Sequence, residues 1–118
     1  MTHRNHSSKG IRGLVAYEQA SETCIAILNA LKSVRAPGDL KNQIQRAVIS
    51  IPLNIAEGSG RHGGDRKYHF SVAYGSGREA MAGLELIRGL GLMDKAKIAD
   101  LIARLDRVNR LVWGLQRK

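Results

Sequence analysis

A regular series of polar residues in the middle of the chain could form a binding or catalytic surface. Gln43, Arg46, Ser50, Asn54 and Glu57 recur at steps of three and four, so they share one face of a predicted helix. A solvated helix face usually carries long charged side chains, whereas here a serine and an asparagine lie between one arginine and one glutamate. This composition favours a specific contact of that face over simple solvation.

The opposite face of the same segment is apolar and predicts burial. Apolar residues recur there with the helical period, at Leu40, Ile44, Ala47, Val48, Ile51 and Ile55. Pro52 lies within the pattern, where it removes an N–H donor and clashes with the carbonyl of Val48. A proline in an exposed helix interior costs about 3 kcal/mol, so the packing must tolerate a kink at Pro52.

Basic residues are the second group that could do chemistry, because lysine and arginine bind phosphate. The chain has 19 Lys and Arg against 10 Asp and Glu, a net charge of +9. The excess lies in residues 1–13, 58–70 and 104–118, whose basic residues are Arg4, Lys9, Arg12, Arg61, Arg66, Lys67, Arg104, Arg107, Arg110, Arg117 and Lys118. Clustered positive charge is typical of nucleic-acid binding, although basic tails also keep small proteins soluble.

Aromatic residues that could read unpaired bases are few. Tyr68, Phe70 and Trp113 lie near the basic segments, but without an interleaved basic and aromatic run. We interpret Trp113 as a core or interface residue. Binding is therefore expected to follow shape and charge rather than sequence.

The glycines of the second connection match a nucleotide-binding pattern. Gly58, Gly60 and Gly63 fit G-x-G-x-x-G, but that fingerprint needs a preceding strand, and a helix is predicted here. The match is therefore interpreted as accidental. A phosphate site at the start of the third helix, beside Arg61, Arg66 and Lys67, remains open, as does a plain flexible turn.

Metal ligation and nucleophilic catalysis have weak candidates. Asp65 and His69 are one helical turn apart with His62 nearby, but Asp65 is better placed as a helix cap. The single cysteine, Cys24, falls in an apolar stripe, and no histidine is placed to activate it. We therefore expect no metal, no cofactor and no enzymatic activity.

Length and composition predict one helical domain. The 118 residues are 43% hydrophobic, enough for one packed core. A lone cysteine excludes an intrachain disulfide, and the N-terminus lacks the apolar run of a signal peptide. The uncharged residues 47–56 are too few to cross a bilayer, which takes about 20 residues. A cytoplasmic protein without membrane contact is expected.

Helical patterns predict four helices in an all-α fold. The first covers approximately residues 14–34, the second ends at Gly58, the third continues to Leu90, and the fourth follows Asp94. Asp39, Asp65 and Asp94 are the expected N-terminal caps, and Gly91 is a stop signal. Short connections indicate an antiparallel, up-down-up-down four-helix bundle over residues 13–118, preceded by a disordered basic tail, residues 1–12. This topology would gather the basic segments at one pole.

The interior of the third helix contains three glycines, Gly75, Gly77 and Gly83. Glycine in a helix costs up to about 1 kcal/mol relative to alanine. Their presence predicts close backbone approach, either to another helix or to another subunit.

Two motifs resemble those of a known family. Residues 43–58 fit Q-I-x-R-A-x-x-S-I-P-x-N-I-A-E-G, residues 73–79 fit A-x-G-S-x-x-E, and Leu90, Gly91 and Leu92 follow. Over roughly residues 14–115 the chain resembles the four-helix-bundle proteins encoded in intervening sequences of bacterial 23S ribosomal RNA genes. That family looks related to the Avd-like accessory variability proteins of retroelements. The resemblance implies homo-oligomeric rings, pentamers in particular.

The motifs also single out a set of polar residues: Arg46, Ser50, Asn54, Glu57, Ser76 and Glu79. The structural interpretation joins them in an inter-helix network, in which Arg46 pairs with Glu79 or Glu57. Asn54 would then bond to backbone near Pro52. Because breaking a buried ion pair costs about 3–5 kcal/mol, Arg46→Ala would be severely destabilising.

Three functions follow from the sequence. The first is a non-catalytic homo-oligomer that binds RNA or DNA, as an accessory to RNA processing or reverse transcription. The second is a structural or protein-interaction ring without a nucleic-acid role. The third is a small-molecule enzyme using Arg46, Asn54, Glu57 and Glu79. The basic segments and the resemblance favour the first.

Overall fold

Four long helices packed side by side make up the structure. The computed structural model describes the backbone of residues 8–117 and the side chains of residues 12–117. The helices are α1 (Ser8–Leu31), α2 (Leu40–Ser59), α3 (Gly63–Gly89) and α4 (Lys95–Gln116), and residues 8–117 contain no strand. α1 packs against α2 and α4, and α3 packs against the same two helices. The predicted all-α four-helix bundle is confirmed.

Contacts between α2 and α3 show that these helices are antiparallel. Ile44 lies against Gly83, Ser50 bonds to Ser76, and Gly58 lies against Phe70. Increasing residue numbers along α2 therefore face decreasing residue numbers along α3, as in an antiparallel pair. The connection between them is only residues 60–62, as short as expected for antiparallel neighbours.

The helix bounds differ from the sequence expectation at several ends. α1 begins at Ser8 and ends at Leu31, several residues earlier at both ends than predicted. Residues 1–7 of the expected tail lie outside the described residues. α2 continues through Pro52 and one residue past Gly58. Gly58 is buried beneath Phe70, whose Cε1 would lie 2.6 Å from an added Cβ, so packing explains this glycine better than a helix stop.

The predicted ends at Asp94 and Gly91 are confirmed. The Asp94 carboxylate accepts a hydrogen bond from the Lys97 backbone N–H at 3.0 Å, as a helix cap does. Gly91 has a φ of 68°, and the N–H of Leu92 donates to the carbonyl of Ile87 at 3.1 Å. This geometry is the Schellman motif, which ends α3 at the point where glycine is favoured.

The other two predicted caps form no capping hydrogen bond. Asp39 occupies the N-cap position of α2, but its side chain accepts from the side chain of Asn42 at 3.0 Å instead. His62 occupies the N-cap position of α3, and Asp65 lies inside the first turn. The prediction for Asp65 is therefore wrong, because α3 begins two residues before it.

The core consists of aliphatic side chains from all four helices, together with the Phe70 ring. Its members with almost no exposed surface include Ile27, Leu31, Ile44, Ile55, Phe70, Leu84, Ile87, Leu101, Leu105 and Val112. Cys24 is buried among them, as expected. Tyr17 on α1 is 41% exposed and lies outside this core. No helix of the described residues is long and apolar enough to cross a bilayer.

Glycines on α3 permit its close approach to both neighbouring helices. A Cβ atom at Gly83 would overlap Cγ1 of Ile44 on α2, and one at Gly77 would overlap the side-chain amide of Asn109 on α4. Gly75 has open space around the equivalent position. The predicted close approach is therefore made within the bundle at Gly77 and Gly83, but not at Gly75.

Gly83→Ala is expected to lower the free energy of unfolding by about 1–3 kcal/mol, because the new methyl group would push α2 and α3 apart. Gly75→Ala is the matched control, and it should stabilise the helix by up to about 1 kcal/mol. Urea unfolding of both variants measures the difference. Equal effects would show that the contact with Ile44 does not require glycine.

Candidate nucleic-acid interface

A chain of hydrogen-bonded polar side chains crosses the contact between α2 and α3. The hydroxyl of Ser76 donates to Oγ of Ser50 at 2.8 Å, and Nδ2 of Asn54 lies 3.0 Å from both Oγ and the backbone carbonyl of Ser50. Nδ1 of His69 donates to Oδ1 of Asn54 at 2.9 Å. We call Ser50, Asn54, His69 and Ser76 the polar chain. Three of the six residues expected in an inter-helix network therefore meet here.

The other three residues of that expected set lie elsewhere, and the predicted pairing of Arg46 is wrong. Arg46 contacts Asp39 at 3.5 Å, with 70% of its side chain exposed. These residues are seven positions apart, so both lie on the same face of the helix. Glu57 pairs with Arg61 at 2.9 Å, and Glu79 is exposed. A buried Arg46 ion pair is therefore excluded.

Asn54 bonds to backbone near Pro52, but not to the carbonyl that the proline deprives of a partner. Its amide donates to Ser50, whereas the missing N–H of Pro52 would have bonded to Val48. Pro52 itself is buried. The role of Asn54 is thus to join α2 to α3 through Ser50 and His69.

The residues considered for metal ligation and nucleophilic attack make other contacts or are buried. Asp65 lies 3.9 Å from Arg61, and His69 belongs to the polar chain. Among the described side chains, no three His, Cys, Asp or Glu residues cluster as metal ligands. Burial raises the pKa of the Cys24 thiol, which disfavours the reactive thiolate.

Five of the predicted basic residues belong to the helix ends at one pole of the bundle. The start of α1 meets the end of α2 there, since a Cβ at Gly13 would lie 3.3 Å from Oγ of Ser59. The start of α3 and the end of α4 lie at the same pole of this antiparallel bundle. We call the five residues the basic pole: Arg12, Arg61, Arg66, Lys67 and Arg117.

The prediction that all the positive charge gathers at one pole is only partly correct. Arg104, Arg107 and Arg110 lie along α4, and Arg104 is about 18 Å from the end of the helix at 1.5 Å per residue. We call these three residues the α4 stripe. Arg4 and Lys118 lie outside the described residues, and Lys9 lies in α1 without a described side chain.

Carboxylates neutralise only part of this surface. Arg61 pairs with Glu57 and Asp65, while Arg104 pairs with Asp100 at 3.8 Å and Arg110 pairs with Asp106. Within residues 12–117, no ion pair involves Arg12, Arg66, Lys67, Arg107 or Arg117. Arg66 instead lies over the Phe70 ring, 4.7 Å from its centre. The described surface therefore carries unneutralised positive charge at the basic pole and at Arg107 of the α4 stripe.

The G-x-G-x-x-G pattern has no dinucleotide-binding geometry. Helix α2, not a strand, precedes it, Gly58 packs beneath Phe70, and Gly63 has a φ of 59° at the start of α3. Arg61 turns toward Glu57 and Asp65. The match is therefore accidental, as interpreted from the sequence.

An aromatic pair between α3 and α4 was not anticipated from the sequence. The ring centres of Tyr74 and Trp113 are 5.2 Å apart, with Arg78 and Arg117 beside them. Trp113 is 44% exposed, so it is not a core residue. The relative register of α3 and α4 brings these residues together, and no local pattern encodes that register.

Asn54→Ala is expected to lower the free energy of unfolding by about 1–3 kcal/mol, since it removes the amide that bonds to Ser50 and His69. Arg46→Ala is the control, and it should cost at most about 1 kcal/mol, as is usual for an exposed ion pair. Chemical denaturation compares the two. Severe destabilisation by Arg46→Ala would contradict its exposed position.

The comparisons with known proteins agree with this fold. A family model described as 23S rRNA-intervening sequence protein matches residues 12–114. A protein of unknown function from the S23 ribosomal protein family of Bacteroides thetaiotaomicron has a similar crystal structure, with a TM-score of 0.81. It shares 19% sequence identity and covers 91% of this chain and 99% of its own, which shows a common fold alone. A search of curated proteins finds no match. Because the family model covers most of the chain, the protein belongs to the 23S rRNA-intervening sequence protein family.

Proposed function

We propose that the protein is a non-catalytic, self-associating helical bundle that binds RNA or DNA through its phosphates. Such binding suits an accessory to RNA processing or reverse transcription. The observation that carries the proposal is the unneutralised charge of the basic pole, at Arg12, Arg66, Lys67 and Arg117, together with that of Arg107 on α4. Lysine and arginine that neutralise phosphates release bound counterions, and this release drives sequence-independent binding.

Both basic surfaces are accessible. Arg12, Lys67, Arg107 and Arg117 are exposed, and none pairs with a carboxylate among the described residues. The rod-like bundle extends the charge from its end along α4, so a flexible strand could follow both surfaces. Duplex and single-stranded nucleic acid would both satisfy contacts of this kind.

Self-association is supported by exposed apolar side chains on α2 and α3. Leu53 is 60% exposed, and Ile49, Tyr68 and Leu86 are also exposed. Ile49 and Leu53 lie one turn apart on the same face of α2, and neighbouring exposed apolar side chains are common where subunits meet. A ring would repeat the basic pole in every subunit, and linked weak phosphate contacts then bind far more tightly than one alone.

The same apolar residues favour the second candidate function, a protein-interaction ring whose basic pole meets an acidic partner. The third candidate, a small-molecule enzyme, required a site that includes Arg46 and Glu57. The structure does not bring these two residues together, because Arg46 pairs with Asp39 and Glu57 pairs with Arg61. Binding of nucleic acid by the purified protein separates the first two functions.

Affinity for labelled RNA is expected to fall steeply between about 50 and 200 mM salt, as counterion release requires. The variant Arg66→Gln/Lys67→Gln should reduce the slope of log affinity against log salt by about 0.7–0.9 for each phosphate that the variant no longer neutralises. Fluorescence anisotropy measures both quantities, and sedimentation under the same conditions gives the subunit number.

The control is Lys95→Gln/Lys97→Gln, which removes the same charge at the opposite pole, where both side chains are exposed. This variant should leave most of the slope of log affinity against log salt unchanged. Equal reductions in the two variants would show that the basic pole is not the binding surface. Absence of RNA and DNA binding at low salt would leave the protein-interaction ring as the better interpretation.

A further inference from the structure

A groove of 370 Å³ runs between α3 and α4 beside the α4 stripe. Tyr74, Arg78 and Met81 line it from α3, and Asp106, Arg110 and Trp113 line it from α4. Asn109 forms its floor. We call this the α3–α4 groove. Its volume falls in the range of small-ligand sites, about 300–1,000 Å³, and its lining combines aromatic rings with arginines.

The two rings of the groove form a tilted pair that leaves part of Trp113 exposed. Their planes meet at 46°, with the ring centres 5.2 Å apart. Trp113 leaves much of its indole exposed, although indole gains more from burial than most side chains. An aromatic pair with accessible surface at the edge of a groove is suited to stacking against another flat ring.

Guanidinium groups surround these rings. Arg78 lies 5.9 Å from the centre of the Tyr74 ring, and Arg117 lies 5.8 Å from the centre of the Trp113 ring. Arg110 reaches the groove from α4, where it pairs with Asp106. Because Asp106 is the acidic residue of the lining and is held by Arg110, the groove remains favourable to an anionic ligand.

The floor of the groove fixes the spacing of its walls. Nδ2 of Asn109 donates to the carbonyl of Gly77 at 3.1 Å, and the missing Cβ of Gly77 leaves room for that amide. Tyr74 lies about one turn from Gly77, and Trp113 lies about one turn from Asn109 in the same direction along the bundle. The aromatic pair is thus held on two rigid helices rather than on loops.

We infer that the α3–α4 groove binds an unpaired base of a single-stranded nucleic acid, which stacks on Trp113 while Arg78 contacts an adjoining phosphate. This inference rests on the proposed function and specifies its ligand as a single strand. In a duplex the bases are already stacked on one another, so their faces cannot reach a side chain. Every base has a π-face, so this contact tolerates any sequence.

Trp113 is the sole tryptophan of the sequence, so its fluorescence reports the groove directly. An oligothymidylate of about eight nucleotides, within the usual span of a single-strand site, is expected to quench this emission. An abasic oligomer of the same length carries the same charge without bases. It should quench little and bind roughly 5- to 150-fold more weakly, as the absence of one stacked base implies. A duplex of the same length should also fail to quench.

Variants of Trp113 test whether this residue contacts the base. Trp113→Leu should weaken binding of the oligothymidylate by a similar factor and leave binding of the abasic oligomer unchanged. Trp113→Phe should retain most of the difference in affinity between the two oligomers. Tyr17→Leu is the matched control, since Tyr17 is an aromatic of similar exposure on α1. Circular dichroism establishes that each variant is folded.

Three results would overturn the inference while the proposed function stands. Equal affinity for the normal and abasic oligomers would show phosphate contacts only, and unchanged affinity in Trp113→Leu would place the base elsewhere. Shielding of Trp113 from acrylamide in the free protein would show that a second copy covers the groove. Absence of binding to any oligomer would overturn both the inference and the proposed function.

Discussion

The bundle depends on the absence of side chains at a few positions of α3. Ile44 occupies the space that a Cβ at Gly83 would take, and the amide of Asn109 does the same at Gly77. Both neighbours of α3 therefore approach its backbone more closely than any larger residue would allow. Helix propensity is reduced at these glycines, and packing and a buried hydrogen bond offset that reduction.

The close approach has consequences at both faces of α3. On the α2 side it brings Ser50 within hydrogen-bond distance of Ser76, so small polar side chains suffice to link the helices. On the α4 side it sets Tyr74 opposite Trp113. Ser50 and Asn54 on α2 thus link the two helices directly, through Ser76 and His69 on α3.

Local patterns predicted the architecture well, because helical period, short connections and the ends at Asp94 and Gly91 are encoded within a few residues. Contacts that depend on competing partners were harder to predict. The Arg46 side chain could have reached across to α3, but Asp39 lies on its own helix face and contacts it instead. Tyr74 and Trp113 are far apart in sequence, and the register of α3 against α4, in which Asn109 bonds to Gly77, places them together.

The short connection between α2 and α3 also bears on the order in which the protein folds. With only residues 60–62 between the two helices, their contacts begin near the turn and involve small sequence separations, which lowers the entropic cost of closing the hairpin. Contacts of α1 with α4 join the two ends of the chain and must close a much longer loop. We therefore expect the α2–α3 hairpin to form before α1 and α4 close against each other.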